Sequence, residues 1–457
     1  MQPKNTSSDS IAAFLWKFLQ YFSVFFAGYF VAHLESVQQM ESDGVWGIID
    51  NYLANPHDRY DTTIAVGSKV PHALEGGAVL IGPEFNRKLA LLLLDERGSV
   101  LHRWDIENRL FNPDTREWWK DLEEGKESSI DDAHLLPGGD VVFIQGAMSV
   151  NNYRGQRLAR MDRNSRILWQ VPGNFHHFID IGGEPKTIYA LSSRLRKGSP
   201  EVAAPTESIR FLEDFIEAYS PEGRKIGEWS IADAFEHSPY RPWLSSFEIS
   251  IPIVQRIRKD GRELYDLYHV NSVQYLDAAK AKALPQAKEG DLLLSFRTMN
   301  ALAVFRPSMQ QIVWATKGPW KHQHSALVGS DGKLYMYDNE GRGGVALYTP
   351  GMGIEQYLSR ILRFDPFTNR AEEVYAPNDL FTYFKGNYQH LSNGSWILTS
   401  PVQGEIRVVS RQGDLVWQLR TDPSYPGRVP HRKQLSFMHY YPAQALGFLA
   451  ADKEKAP

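Results

Sequence analysis

Six of the fourteen histidines stand at the head of similar short segments. These are His134 (HLLPGGDVVFI), His177 (HFIDIGGEPKTIYAL), His269 (HVNSVQYL, running into GDLLLSF), His324 (HSALVGSDGKLYMY), His390 (HLSNGSWILTS) and His439 (HYYPAQALGFL). An imidazole titrates near neutral pH, so as a neutral base it offers a nucleophilic or proton-accepting nitrogen, and as a cation it donates a proton. Six such groups brought from distant parts of the chain to one place would support group transfer with proton shuttling.

The elements able to gather them are written as a repeat. Six stretches read as strand, short turn, strand: 89–104, 158–169, 215–229, 302–314, 361–374 and 406–417, and all but 361–374 end on tryptophan. Units that recur every 40 to 90 residues and cannot bury both faces alone predict a radial array of small sheets, here an all-β, six-bladed β-propeller. The histidine-led segment before each hairpin supplies the innermost strand of a blade, and its first residues line one mouth of the central channel. The ring closes in one of two ways. Either residues 439–449 supply the inner strand of the blade built from 78–82, 89–95 and 99–105, or His72 (HALEGGAVLI) opens that strand and the C-terminal segment is accessory.

At 457 residues, with 42% apolar and 12% aromatic content, the chain is long enough for one large core spanning residues 76–450. A net charge of −4 and the lack of a basic stripe give no electrostatic case for nucleic acid. Zero cysteines exclude disulfides, thiolate metal sites and a cysteine nucleophile.

Residues 18–34 (FLQYFSVFFAGYFVAHL) form an apolar run that IAAFLWK extends toward bilayer-spanning length. Lys4 and Lys17 precede it and Glu35, Glu41, Asp43 and Asp50 follow, so residues 1–35 are expected to be a cytoplasmic tail and single-pass anchor, with the propeller on the periplasmic or extracellular side. A cleaved signal peptide or a helix lying in the membrane surface are the alternatives. Helical spacing of Met40, Val45, Ile48, Ile49 and Tyr52 predicts a helical linker within 36–75. Insertions at 106–130, 194–214 and 232–267 are expected to build walls around a pocket or a partner surface.

Several motifs carry a family resemblance. LLLLDERGSVLHRW (91–104) resembles the first outer hairpin of bacterial arylsulfotransferases, six-bladed enzymes that move a sulfuryl group between phenols. NFHHFID (174–180) is similar to their Phe-His-His stretch and YHVNSVQYL (268–276) to their His-x-Asn-Ser strand. QHSALVGSDGKLYMYDNEGRG (323–343) resembles the stretch with a second active-site histidine and a functional arginine. The resemblance covers most of residues 76–445. It implies catalytic roles for His269, His324 and Arg342, a nucleophile at His390 in NYQHLSNGSWILTS, and substrate contacts from His177, His134, Asn271 and Asn339. It further implies an aryl sulfate donor and a phenolic acceptor, with no cofactor. The chain departs from the family in reading Asp131-Asp132-Ala133-His134 before its LLPGGD turn and in lacking cysteines for a disulfide.

The chemistry gives these residue types a reason to meet. Sulfuryl transfer resembles phosphoryl transfer: a loose transition state places negative charge on three equatorial oxygens, which positioned cations stabilise. A neutral imidazole attacks sulfur and holds the group as a sulfohistidine, while other imidazoles move the phenolic proton. No HExxH pair appears, and no metal is expected. The competing class is a membrane-tethered propeller that binds or assembles without catalysis, since the fold hosts unrelated functions.

Overall fold

Turn chemistry builds the repeated hairpins. In five of them the turn opens on Asp or Ser, whose side chain accepts backbone N–H groups farther along. Asp95 Oδ1 accepts from Arg97 and Ser99, Asp162 Oδ1 from Asn164 and Arg166, Asp365 Oδ1 from Phe367, and the Ser220 and Ser410 hydroxyls from Glu222, Arg224, Gln412 and Asp414. A left-handed residue closes each of these turns: Gly98, Ser165, Gly223, Asn369 and Gly413 have φ between 56° and 91°.

The computed structural model describes residues 64–83, 89–107, 128–147, 155–197, 209–245, 255–257, 262–339, 358–382, 384–401, 403–421 and 435–453. They lie within one compact unit, Arg59–Leu347 with Gly351–Pro457. Their strands form six separate antiparallel blades around an axis. From the inner strand outward, blade 1 is Leu435–Tyr441, Ala78–Pro83, Leu89–Leu94 and Val100–Ile106, and blade 2 is Ser128–Leu135, Val141–Ala147, Gly155–Met161 and Ile167–Pro172. Blade 3 runs Phe175–Gly182, Thr187–Lys197, Ile209–Tyr219 and Lys225–Ser230; blade 4 runs Val270–Tyr275, Leu292–Phe296, Ala301–Arg306 and Gln311–Lys317. Blade 5 is His324–Val328, Leu334–Asp338, Arg360–Asp365 and Arg370–Tyr375, and blade 6 is Tyr388–His390, Trp396–Ser400, Glu405–Val409 and Leu415–Thr421.

The C-terminal strand closes the ring. Tyr441 pairs with Ala78 and His439 with Leu80, which decides against His72; that residue sits in the loop ahead of the blade. The closing strand begins at Leu435, so His439 is its fifth residue and not its head, and after Tyr441 the chain leaves the sheet for short helices. Ile64–Ser68, placed by sequence in a helical linker, is a fifth strand of blade 6 paired with Leu415–Thr421. The ends of the 194–214 insertion extend the central hairpin of blade 3. Within 232–267, Gln255–Ile257 and Arg262–Asp266 add to the same sheet, the latter parallel to Ile209–Tyr219. The predicted anchor (18–34) and the helically spaced residues from Met40 to Tyr52 lie outside the described residues. Among the described residues no helix is long and apolar enough to cross a membrane.

The core lies between blades and follows the period of two. In blade 1, Leu89, Leu91, Leu93 and Trp104 pack on Val141, Phe143 and Ala159 of blade 2, whereas the alternate residues Ala90, Leu92 and Leu94 pack on Ile397, Ile406, Val408 and Leu419 of blade 6. The terminal tryptophans add a polar staple to the next blade: the indole N–H donates from Trp104 to the Gly139 carbonyl, from Trp169 to Pro221 and from Trp417 to Glu96, at 2.8–3.0 Å.

Phe437 of the closing strand is 2% exposed and sits between blades 1 and 2. We expect Phe437→Ala to cost about 3–5 kcal/mol, the usual loss for a buried phenylalanine, read as a lower urea midpoint. A midpoint equal to the parent's would mean that the C-terminal strand does not close the ring.

Candidate active site

A regular inner strand aims its side chains at neighbouring blades, so a residue reaches the channel only where the strand is irregular. Such irregularities recur near the inner-strand heads. Register shifts fall opposite His177 and Phe178 in blade 3, at Asn271 in blade 4, at Ser325 and Ala326 in blade 5 and at Asp131 in blade 2. His177, His269, Ser325 and Lys385 also take positive φ, between 47° and 57°.

These devices bring together His177, His269 and His324. The rings of His177 and His269 are 4.9 Å apart and those of His177 and His324 6.2 Å, and one ring nitrogen from each lies within 4.8 Å of the others. His324 is held in one tautomer. Its Nδ1 faces two acceptors, Asn339 Oδ1 at 2.7 Å and the His322 carbonyl at 3.1 Å, so Nδ1 carries the proton and Nε2 accepts the Lys385 backbone N–H at 3.2 Å. Asn339 is itself fixed, because its amide donates to the Thr382 and Lys385 carbonyls. His177 Nδ1 lies 2.8 Å from His176 Nδ1, and His176 Nε2 faces Asp214 Oδ1 at 3.4 Å. A His176 tautomer that carries its proton on Nε2, facing that carboxylate, accepts from His177 at Nδ1 and leaves His177 Nε2 with a lone pair. Of the three imidazoles, His177 is the least buried.

Burial first, and then the neighbouring imidazoles and Lys385, hold the His177 pKa well below its ordinary value of 6.5. Burial and the Arg297 guanidinium do the same for His324, against the opposing pull of its bond to Asn339. His322 falls to about 3, through burial and then Arg297. The site thus offers His177, His322 and His324 as neutral imidazoles at pH 7, with two cations close by. Lys385 reaches Ser436 Oγ at 3.2 Å and Asp131 Oδ1 at 3.5 Å.

A second set of titratable groups lies between blades 1 and 2, farther along their inner strands. Asp132 Oδ1 meets His439 Nε2 at 2.6 Å, and its Oδ2 lies 3.4 Å from His134 Nε2. Although burial opposes ionisation, His439 and His134 hold the Asp132 carboxyl well below the carboxylate range. Burial opposes the charged form of His134 as well, but Asp132 outweighs it and raises that pKa; in His439 burial and His134 win and lower it. Either trio, His177–His269–His324 or Asp132–His134–His439, has the donor atoms for a metal ion.

The other residues named from sequence fall differently. Asn271 and Asn339 are buried behind the imidazoles: Asn271 Nδ2 donates to the Gln323 carbonyl at 2.7 Å and so fixes the backbone just before His324. Both therefore position histidine and do not face the channel. His390 is not brought to the trio. It ends its strand at the turn side, its ring 3.9 Å from Trp396 and 5.0 Å from Tyr335, beside the Gly329 turn that lies at the far end of the strand His324 begins. Five residues of strand separate those ends by about 16 Å. Blade 6 presents Lys385 between His324 of blade 5 and Ser436 of blade 1. Arg342 lies outside the described residues.

Sequence reasoning missed Lys385, Arg297, the His176–Asp214 pair and Asp132. The pairs His322-Gln323-His324 and Asp132-Ala133-His134 were visible as i, i+2 spacings that place two side chains on one side of a strand.

This arrangement, a channel mouth of imidazoles backed by an asparagine and two cations, stands on a fold seen in many chains. The sequence matches the arylsulfotransferase (ASST) family over residues 132–422, and the chain belongs to that family. No curated protein matches it significantly. Similar solved structures include a Bacteroides caccae protein of unknown function (12% identity, TM-score 0.44, covering 80% of this chain and 98% of the other). Virginiamycin B lyase from Staphylococcus aureus is another (11% identity, TM-score 0.35, 69% and 84% covered).

The pKa directions fix a pH response. His177, His322 and His324 bind protons less readily folded than unfolded, so below pH 6.5 the unfolded chain takes up protons that the native site refuses. Stability is full above pH 6.5 and falls as the pH drops, by up to about 1.4 kcal/mol per pH unit for each group. We expect the urea midpoint to fall between pH 6.5 and 5 in the parent and less steeply in His324→Asn. Equal slopes would show that His324 is not held neutral.

Proposed function

We propose that this protein transfers a sulfuryl group from an aryl sulfate to a phenol through a sulfohistidine, with His177 as nucleophile. The observation that carries the reading is the convergence of His177, His269 and His324 beside Lys385 and Arg297 in a chain of the arylsulfotransferase family. His177 is preferred over His324 because it is more accessible and its Nε2 is left with a lone pair, whereas His324 Nε2 already accepts the Lys385 N–H.

In the first half-reaction the His177 Nε2 lone pair attacks sulfur. The N–S bond forms as the S–O(aryl) bond breaks, and the phenolate leaves with a proton supplied by His269. In the second, the incoming phenol returns a proton to His269, its oxygen attacks sulfur, and the N–S bond breaks to regenerate neutral His177. Lys385 and Arg297 stabilise charge on the equatorial oxygens. Asn339 and the His176–Asp214 pair hold their imidazoles in the required tautomers. We further propose that residues 18–34 anchor the chain with its propeller on the periplasmic or extracellular side, in keeping with the lysines before that run and the acidic residues after it. Carbonate-resistant membrane association is the expected result, and carbonate-extractable protein would count against it.

Donor-only incubation with a chromogenic phenyl sulfate should add about 80 Da, one sulfuryl group, to the peptide containing His177, and turnover should be ping-pong. His177→Ala should abolish labelling. His390→Ala should retain it, and Lys385→Met should slow turnover roughly 100-fold or more with little loss of stability. An adduct on His324 or His269 reassigns the nucleophile within the same reaction. No adduct in folded protein would favour a propeller that binds without catalysis.

A further inference from the structure

The second trio, Asp132, His134 and His439, has features that ordinary buried polarity does not require. Asp132 and His134 are two residues apart on the inner strand of blade 2, and His439 comes from the closing strand of blade 1. Both imidazoles turn Nε2 toward the same carboxylate, one oxygen each, with ring centroids 4.2 Å apart. All three ligand atoms lie within 4.8 Å of one another. A metal bound at about 2.0–2.2 Å to each ligand needs donor atoms separated by roughly 3–4 Å. The 3.4 Å separation from Oδ2 already meets that requirement; the 2.6 Å contact is to the other oxygen, Oδ1, and the ligand atoms all lie within 4.8 Å, so closing on one ion takes shifts of about an ångström.

The surroundings favour a cation. Asp132 Oδ2 is oriented by the Ile179 N–H at 2.8 Å, the kind of outer contact that fixes a ligating carboxylate. His134 Nε2 is buried and lies 3.4 Å from Asp132 Oδ2, too far for a well-formed hydrogen bond, so its contact with protein is weak. Asp180 adds a further carboxyl near His134. By contrast, the mouth trio has Arg297 and Lys385 beside it, and their charges oppose a dication there while suiting an anion.

We propose that Asp132, His134 and His439 bind one divalent transition-metal ion of the zinc type, with a remaining coordination position left to water. Two neutral imidazoles and one carboxylate form a three-ligand set of the kind that leaves a position for water or substrate. The proposal does not depend on the sulfotransferase reading, since its residues are distinct from those assigned to sulfuryl transfer.

The test uses the full chain stripped with a chelator and titrated with Co²⁺ followed by visible absorption, then with Zn²⁺ by calorimetry. One equivalent should bind, with a d–d band in the Co²⁺ form that Zn²⁺ displaces. Asp132→Asn, His134→Gln and His439→Gln should each weaken Co²⁺ binding on the order of 100-fold or more, while His177→Gln and His324→Gln leave it unchanged. His134 is partly exposed, so its variant keeps the test open if a buried substitution prevents folding. Absence of one tight equivalent in the folded parent overturns the proposal. So does binding that survives His134→Gln, or binding lost in His177→Gln or His324→Gln, which would place the ion at the mouth.

Discussion

The pleat of the innermost strands is the constraint on which this structure depends. Side chains of a strand stand perpendicular to its sheet, and in a ring of radial sheets that direction points to the neighbouring blades, not to the axis. The alternation of Leu89, Leu91 and Leu93 toward blade 2 with Ala90, Leu92 and Leu94 toward blade 6 shows how completely regular strand geometry is used up by packing. A functional channel therefore has to be made by breaking the pleat. The register shifts near the strand heads and the left-handed His177, His269, Ser325 and Lys385 are those breaks, each non-glycine left-handed residue costing about 1–3 kcal/mol.

Strain of that kind persists only where the surroundings over-determine it. The interblade clusters, the tryptophan staples and the closure of blade 1 by the C-terminal strand supply that rigidity, because no blade can relax without disturbing the next. Buried polar contacts finish the task locally. Asn271 fixes the Gln323 carbonyl, the Gln323 amide donates to Ser295, Phe296 and Ala301 of blade 4, and Asn339 ties His324 to the loop before blade 6.

Blade number was legible in the sequence because the outer hairpins carry their turn chemistry on the surface of the text: Asp or Ser at the start, a left-handed residue at the end, tryptophan on the return strand. The site was legible only in part, since histidine at the head of a segment does not say how far that residue stands from the following turn. His177 and His324 precede their turn glycines, Gly182 and Gly329, by five residues and lie together. His134 and His390 precede Gly138 and Gly394 by four, with the turn itself opening earlier, and both fall at the inner end of a strand instead of its head. Counting back from the turn would have separated the two tiers. Lys385 was illegible for the complementary reason: it stands before a three-residue strand, in a loop with no periodic pattern to mark it.

Lys385 also explains why six similar blades do not make a symmetric site. A full ring of neutral imidazoles has no preference for charge and would be costly to protonate, because burial and mutual repulsion already depress His177 and His324. An ammonium in blade 6, with Arg297 close to His324, sets two cations beside the neutral imidazoles of His177 and His324, and Asp131 stands 3.5 Å from that ammonium. Between blades 1 and 2, Asp132 collects two histidines about a carboxylate. The Lys385 ammonium is thus partly balanced by Asp131, and the Asp132 carboxylate by its own two histidines, so each buried charge is partnered locally, as a low-dielectric setting requires.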